Sequence, residues 1–316
     1  MKKDKKRRSD VLAERIEQRL EQLARLTDEA RISDAIRSYL DAMAQFHRYS
    51  SNNVFLIALQ CPHATRVAGY RTWQDLGGQV RKGEQGIKIL CPRPWKRTEV
   101  NEDTGEEEVV ARGTWFAVGH VFDISQVGVP CPNEGCTDEA GRRTLANPLS
   151  DRCPECGAQV EPLLPPEPRW INEGEEGEEL ANRLQRFAEA QGIEVVRDVD
   201  LPGDKQGRSR LGRIELRRGI TPLGRAAVTA HEVAHELLHG APERTLGRRQ
   251  ALEVEAEATA YVVLAHYGHQ ILSPNYLALW SADGEQIRER LERVSATAQR
   301  IIAGVESPED LQEEYR

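Results

Sequence analysis

No apolar run in this 316-residue chain approaches the roughly 18 to 20 residues that a membrane span needs. The longest, Val54 to Leu59 and Tyr261 to Ala265, are short and flanked by polar groups. The basic start, Met1-Lys-Lys-Asp-Lys-Lys-Arg-Arg8, has no apolar segment behind it, so it does not read as a secretory signal and the expected location is the cytoplasm. Cysteine is sparse as well. Six cysteines are too few for a disulfide scaffold, and four of them fall in two close pairs, which points to metal in a reducing compartment. Cys61 and Cys91 stand apart and read as inert. With 39% hydrophobic and 30% charged residues, collagen-like and wholly disordered chains are excluded. The length fits two domains of about 150 residues each.

The formal net charge of −8 hides an asymmetry. Residues 1–97 hold 20 Lys/Arg against 11 Asp/Glu, whereas the remainder holds 23 against 40. A basic half joined to an acidic half suggests that the first meets a polyanion and the second does not.

Periodicity gives an α+β fold. Helical spacing runs from Val11 to Leu26, from Asp28 or Ser33 to Phe46, and from Val54 to Gln60. Strand-like segments follow at 65–73, 86–91 and 111–122, with a hairpin turn at Asn101 to Gly105. The organisation read from the chain is an N-terminal α+β domain at 1–126, a cysteine-bearing insertion at 127–160 and a Pro/Glu-rich linker at 161–179. A mainly helical domain at 180–304 and a tail at 305–316 complete it. Within the C-terminal domain, strands are expected at 193–199 and 212–216, and helices up to Gln191 and at 222–239, 249–267 and 284–303.

The segment Thr221-Pro-Leu-Gly-Arg-Ala-Ala-Val-Thr-Ala-His231-Glu232-Val-Ala-His235 is punctuated as a helix, with Thr221 as N-cap, Pro222 at the first turn and Gly240 past the end. It contains H-E-x-x-H. Four residues apart on a helix, His231 and His235 project from one face and can bind one Zn²⁺, while Glu232 is placed to take a proton from water. Such a site needs a third ligand, and the next helix offers Glu253, Glu255 and Glu257. Nineteen residues separate His235 from Glu255, a gluzincin-like interval, so Glu255 is the preferred ligand. His239 lies near the same face.

Cys131-Pro-Asn-Glu-Gly-Cys136 and Cys153-Pro-Glu-Cys156-Gly157 form two knuckles sixteen residues apart, the pattern of a structural Cys₄ zinc in a ribbon. Two zinc ions are therefore expected, one catalytic in type and one structural.

Ten of the seventeen aromatics lie within residues 1–125, interleaved with cations that include Arg66, Arg71, Arg81, Lys82 and Lys88. That mixture suits single-stranded nucleic acid, because cations track phosphates while aromatic faces stack bases. Of these aromatics, Phe55, Phe116 and Phe122 are expected in the core.

Four strings, Phe46-His-Arg-Tyr-Ser-Ser-Asn-Asn-Val-Phe-Leu-Ile57, Ala64-Thr-Arg-Val-Ala-Gly-Tyr-Arg-Thr-Trp73, Val80-Arg-Lys-Gly-Glu-Gln-Gly-Ile-Lys-Ile89 and Val121-Phe-Asp-Ile-Ser-Gln126, resemble the N-terminal domain of ArdC-type antirestriction proteins. The resemblance implies a single-stranded DNA-binding domain joined to a zincin-like metallopeptidase domain similar to the ImmA/IrrE group, in a protein that protects incoming plasmid DNA from restriction. It also implies Tyr49, Ser50, Asn53, Arg66, Tyr70, Arg71 and Trp73 as DNA-facing residues. The expected partners are single-stranded DNA and a protein substrate or restriction enzyme, with no membrane. Two other readings remain beside it: a regulatory metalloprotease that cleaves one specific protein, and a non-catalytic DNA-binding transfer protein.

Overall fold

A computed structural model of the chain describes residues 7–24, 29–100, 107–163, 177–203, 205–240, 249–269 and 284–306. The hairpin turn at 101–105, most of the 161–179 linker and the tail from residue 307 lie outside them. The fold is mixed α+β with small sheets and several helices, and it divides into two compact units, residues 1–18 with 55–165 and residues 19–54 with 166–316. Among the described residues no helix is long and apolar enough to cross a membrane.

The helices α1 (Arg8–Ala24), α2 (Glu29–Gln45) and α3 (Ser51–Gln60) follow the periodicity of the sequence. In the first unit, β1 (Val67–Gly69) leads into a short helix, α4 (Tyr70–Asp75), so the expected strand at 65–73 is half helical. Trp73 is the reason. Its ring is 2% exposed and its Nε1 donates to the Phe122 carbonyl at 2.8 Å, which requires the chain to turn inward there. After β2 (Gln79–Val80), the strands β3 (Ile87–Val100) and β4 (Glu107–Asp123) form a long antiparallel ribbon. β1 adds to β4 only at Val121 to Asp123, so beyond Cys91 the ribbon has no third strand among the described residues. Phe116 accordingly lies 48% exposed rather than in the core, whereas Phe55 is buried and Phe122 is partly so.

Asp123 ties this unit together. Its carboxylate accepts from the backbone of Thr65 (2.7 Å) and Arg66 (3.0 Å) and from the backbone and hydroxyl of Ser125 (2.9 and 2.6 Å). Gln126 returns its Oε1 to the Asp123 amide, completing a capping box on the 3₁₀ turn Ile124–Gln126. Next come β5 (Val127–Pro130) and β6 (Leu145–Ala146), which join β2 in a second sheet. The apolar cluster there runs from Trp73 and Val127 through Cys131, Cys136 and Cys153 to Leu163, so the cysteine segment is packed into the core rather than appended to it.

The second unit holds α2, α5 (Glu178–Ala190), β7 (Glu194–Val199), β8 (Gly207–Ser209), β9 (Arg213–Arg217), α6 (Pro222–Leu238), α7 (Arg249–His266) and α8 (Gly284–Val305). Its sheet runs β7-β9-β8, with β7 parallel and β8 antiparallel to β9, which leaves β8 at an edge. Residues 19–54 cluster with these helices, with part-buried polar links among the contacts: Tyr261 donates to Asp41 at 2.6 Å and Gln299 donates to the Tyr49 carbonyl at 2.7 Å.

Candidate metal centre

α6 begins where the capping residues dictate, with Thr221 Oγ1 accepting from the Gly224 amide at 3.2 Å and Pro222 in the first turn, and it ends at His239. α7 packs beside it through Ala234, Leu238 and Ala256, small and medium side chains that let the two backbones approach. On the facing sides, His231 Nε2 and His235 Nε2 lie 3.1 Å apart, and Glu253 Oε2 is 3.4 Å from each. A tetrahedral ion with bonds of about 2.0–2.1 Å holds its ligands about 3.3–3.4 Å apart, so the three atoms already stand at metal-ligand spacing.

The structure thus brings Glu253, not Glu255, to the histidine pair. Measured around α7 from the contact residue Ala256, Glu253 and Glu257 fall on one flank and Glu255 on the other, because each residue advances about 100°. Glu257 Oε2 lies 3.0 Å from His231 Nδ1. Glu255 is buried and meets His239 Nε2 at 3.2 Å, with Arg293 at 3.5 Å, and His239 Nδ1 in turn meets His235 Nδ1 at 3.1 Å. His235 therefore shows one nitrogen to His231 and Glu253 and the other to buried His239, which is followed by buried Glu255 and half-buried Arg293, an arrangement of the kind that orients imidazoles at metal sites.

Electrostatics suit a cation. Burial disfavours the imidazolium of His231, yet Glu253 and Glu257 outweigh it and raise this group to about 10. Glu253 is held well below the usual carboxylate range, by His231 first and His235 second. Burial lowers His235, and Glu253 offsets this only in part.

The cluster opens on a cleft of about 870 Å³ lined by Glu232, Glu257, Lys205, Arg208 and the edge strand β8. Glu232, itself buried, stands beside Gly207, where an added Cβ would fall 2.7 Å from Glu232 Oε1 and 2.4 Å from Val228. Only glycine lets β8 lie this close to α6. Glu236, one residue beyond His235, fastens that strand by accepting from the Ser209 hydroxyl and, at 2.5 Å, from the Gly212 amide. The sequence reading missed β8, a three-residue segment with no alternation to announce it.

Cys131, Cys136, Cys153 and Cys156 also converge, with Sγ–Sγ separations of 3.5 Å (131 to 156) and 3.8 Å (136 to 153). These are far beyond a disulfide and near the edge of about 3.8 Å expected for a tetrahedral ion with bonds of about 2.3 Å to sulfur. Backbone amides, that of Cys156 first, pull Cys153 down to about 7, while burial pushes Cys131 up to about 12.

The residues expected to face DNA divide. In the first unit Tyr70 (47% exposed), Arg71, Lys82 and Lys88 are open to solvent, Arg66 is half-buried, and Arg81 donates to the Ser125 carbonyl at 2.6 Å. Trp73 is core and offers no face to a base. In the second unit Ser50 is exposed, Tyr49 half-buried and Asn53 buried. The ribbon adds aromatics that were not in that set: Trp95 and Trp115 are about half exposed and share one face, since Arg93 pairs with Trp115 and Trp95 with Gly113. The signal that could have found them is strand length, because β3 and β4 outrun β1.

Comparison with known proteins gives a class for the N-terminal half. Residues 6–122 match the family model for the N-terminal domain of anti-restriction factor ArdC. Over residues 6–122 the chain is thus similar to an ArdC-type N-terminal domain. An uncharacterized protein of Bacillus anthracis is 27% identical over 298 residues, which is 82% of this chain and 46% of that protein, so the chain spans about half the length of this relative. Two crystal structures of the antirestriction ArdC protein from plasmid R388, one metal-free and one Mn(II)-bound, align over 81% and 82% of this chain and 85% and 86% of theirs. Both give a TM-score of 0.42, at 18% and 16% identity.

Proposed function

We propose that this chain is an antirestriction-type protein that binds single-stranded DNA through its N-terminal half and carries a metal-dependent, zincin-like peptidase site in its C-terminal half. The observation that carries the second part is the His231–His235–Glu253 triangle, with edges of 3.1, 3.4 and 3.4 Å, at the mouth of a cleft that also holds Glu232. A divalent ion held there would supply Lewis acidity and lower the pKa of water toward about 7. Zinc is the expected ion for two imidazoles and a carboxylate.

The chain's own groups supply the rest. Glu232 accepts a proton from a water in the cleft and returns it to the departing amine. β8 is an edge strand that lines the cleft, the kind of element to which an extended peptide adds, and this favours a protein substrate over a small molecule. His239, Glu255 and Arg293 hold His235 in orientation. The four cysteines are read as a structural zinc ribbon. The DNA-binding part is supported by the ArdC-type domain and by the exposed cations and aromatics of the first unit.

The test measures bound metal per chain and affinity for a single-stranded oligonucleotide at two salt concentrations, for wild type, His231→Ala and Glu232→Gln. Loss of one metal in His231→Ala with unchanged, salt-sensitive DNA binding supports two independent modules. Glu232→Gln keeps metal and DNA but abolishes cleavage of the partner. Salt-independent DNA binding, or full metal content in His231→Ala, sinks the corresponding half of the reading.

A further inference from the structure

A second set of imidazole and carboxylate groups converges at the far end of α7. His47 follows α2 in a turn, His266 is the last residue of α7, and Glu306 is the first residue beyond α8, and one ligand atom of each lies within 4.8 Å of the others. From Glu253 to His266 α7 rises about 20 Å, so this cluster is separate from the cleft.

Three features of the cluster suit a cation. His266 Nδ1 stands 3.1 Å from the Ala44 carbonyl, which can only accept, so that nitrogen carries the proton. Nε2 faces Glu306 Oε1 at 2.9 Å, a contact that either a second ring proton or a metal ion between the two atoms satisfies. His47 Nδ1 is buried with no hydrogen-bond partner, and its ring meets His266 edge-on with centroids 4.4 Å apart. A buried nitrogen without a partner is costly, and a metal bond is one way to satisfy it. Finally, all three residues stand at the C-terminal ends of helices, where macrodipoles favour a cation. Arg48 is a nearby charge that opposes a cation at both His47 and Glu306.

We propose that His47, His266 and Glu306 form a divalent-metal site, zinc by preference for two imidazoles and one carboxylate, that ties the C-terminal ends of α2, α7 and α8 together. Because it would join three helix ends, its role is structural. It fixes the end of α7 opposite Glu253.

The test strips the full-length chain of metal and titrates it with zinc, reading stoichiometry, affinity and melting temperature for wild type, Glu306→Gln, His47→Gln and His231→Ala. Glu306→Gln is the safest variant, because it sits at an exposed helix end and keeps its volume, and it decides the matter where His47→Gln misfolds. The expected result is that Glu306→Gln weakens one zinc equivalent by at least about tenfold and reduces the zinc-induced rise in melting temperature. Combined with His231→Ala it should lose two. Wild-type zinc number, affinity and stabilisation in Glu306→Gln overturn the proposal. Because His231→Ala reports only on the cleft, loss there with none in Glu306→Gln would leave the peptidase reading standing and remove this site alone.

Discussion

Glu253 and Glu255 stand two residues apart on α7 and serve opposite sides of the histidine row on α6: Glu253 Oε2 lies 3.4 Å from both His231 and His235, and Glu255 Oε2 lies 3.2 Å from His239. Their substitutions should therefore separate. Glu253 is 44% exposed, so Glu253→Gln should weaken metal binding at least about tenfold with little change in melting temperature. Glu255→Ala leaves buried His239 and Arg293 without their carboxylate and should cost about 1–3 kcal/mol of stability, with a smaller loss of metal affinity. Metal titration and thermal melting of the two variants, side by side, check the split.

Gly207 is the point where the edge strand β8 meets α6. An added methyl would stand 2.4 Å from Val228 and 2.7 Å from Glu232, so Gly207→Ala should cost about 1–3 kcal/mol and push β8 or Glu232 aside. Under the proposed peptidase reading, hydrolysis should fall while bound metal stays, because His231, His235 and Glu253 do not touch this position. Unchanged activity in a folded Gly207→Ala protein would exclude β8 as a wall of the working site.

The helices that carry the site were legible because their punctuation is local. Thr221, Pro222 and the His231/His235 spacing mark α6 without reference to anything distant, and α7 and α8 begin and end within two residues of where periodicity sets them. What is not local was not legible. The interval from His235 to Glu255 cannot tell which flank of α7 faces the cleft, since that depends on Ala256 seating against Ala234 and Leu238. Trp73 looks like a stacking residue beside Tyr70 and Arg71, but its burial follows from a carbonyl 49 residues away. The expected membership of Phe116 in the core failed for the converse reason: a hydrophobic strand residue is buried only where something covers the sheet, and here the ribbon outruns its third strand.

Acid should undo the Asp123 junction. Burial alone would raise this carboxyl, but the Ser125 hydroxyl and the amides of Ser125, Thr65 and Arg66 outweigh it and hold it below its ordinary value. A depressed folded-state pKa contributes stability that is complete above the unfolded value of about 3.9 and is lost as pH falls through the folded value. Asp123→Asn should thus be destabilised relative to wild type at pH 7, by about 1.5–3 kcal/mol for weakened charge-assisted bonds, and the gap should close toward pH 2. Denaturant unfolding of both proteins across this range tests it. A gap independent of pH would mean that the charge of Asp123 contributes nothing.

The cysteine cluster shares its core with Trp73 and Val127, so removal of a metal there should be felt well beyond the knuckles. Cys136→Ser should lose one zinc equivalent and lower the melting temperature of the first unit, with His231→Ala leaving that transition in place. Chelation of wild type should reproduce the shift. Full zinc content in Cys136→Ser would refute a Cys₄ ion.

The exposed ribbon makes the sharpest prediction for DNA. Trp95 and Trp115 lie about half exposed on one face, with Arg93 directly opposite Trp115 and two residues along β3 from Trp95, so one cation neighbours both stacking surfaces. Trp95 also covers the backbone at Gly113, where a Cβ would meet its ring at 2.9 Å, so its plane is held in place before any ligand arrives. Base stacking on such rings contributes about 1–3 kcal/mol each, so Trp95→Ala and Trp115→Ala should each weaken an oligonucleotide about fivefold to a hundredfold without changing the salt slope, since no phosphate contact is lost. Lys88→Ala should do the reverse, lowering the slope with a modest loss of affinity. Trp73→Ala should unfold the unit instead, because it empties the core between Val127 and Leu163. Wild-type affinity in the folded Trp95→Ala/Trp115→Ala double variant would move the DNA track off the ribbon and onto the surface around Tyr70 and Arg71.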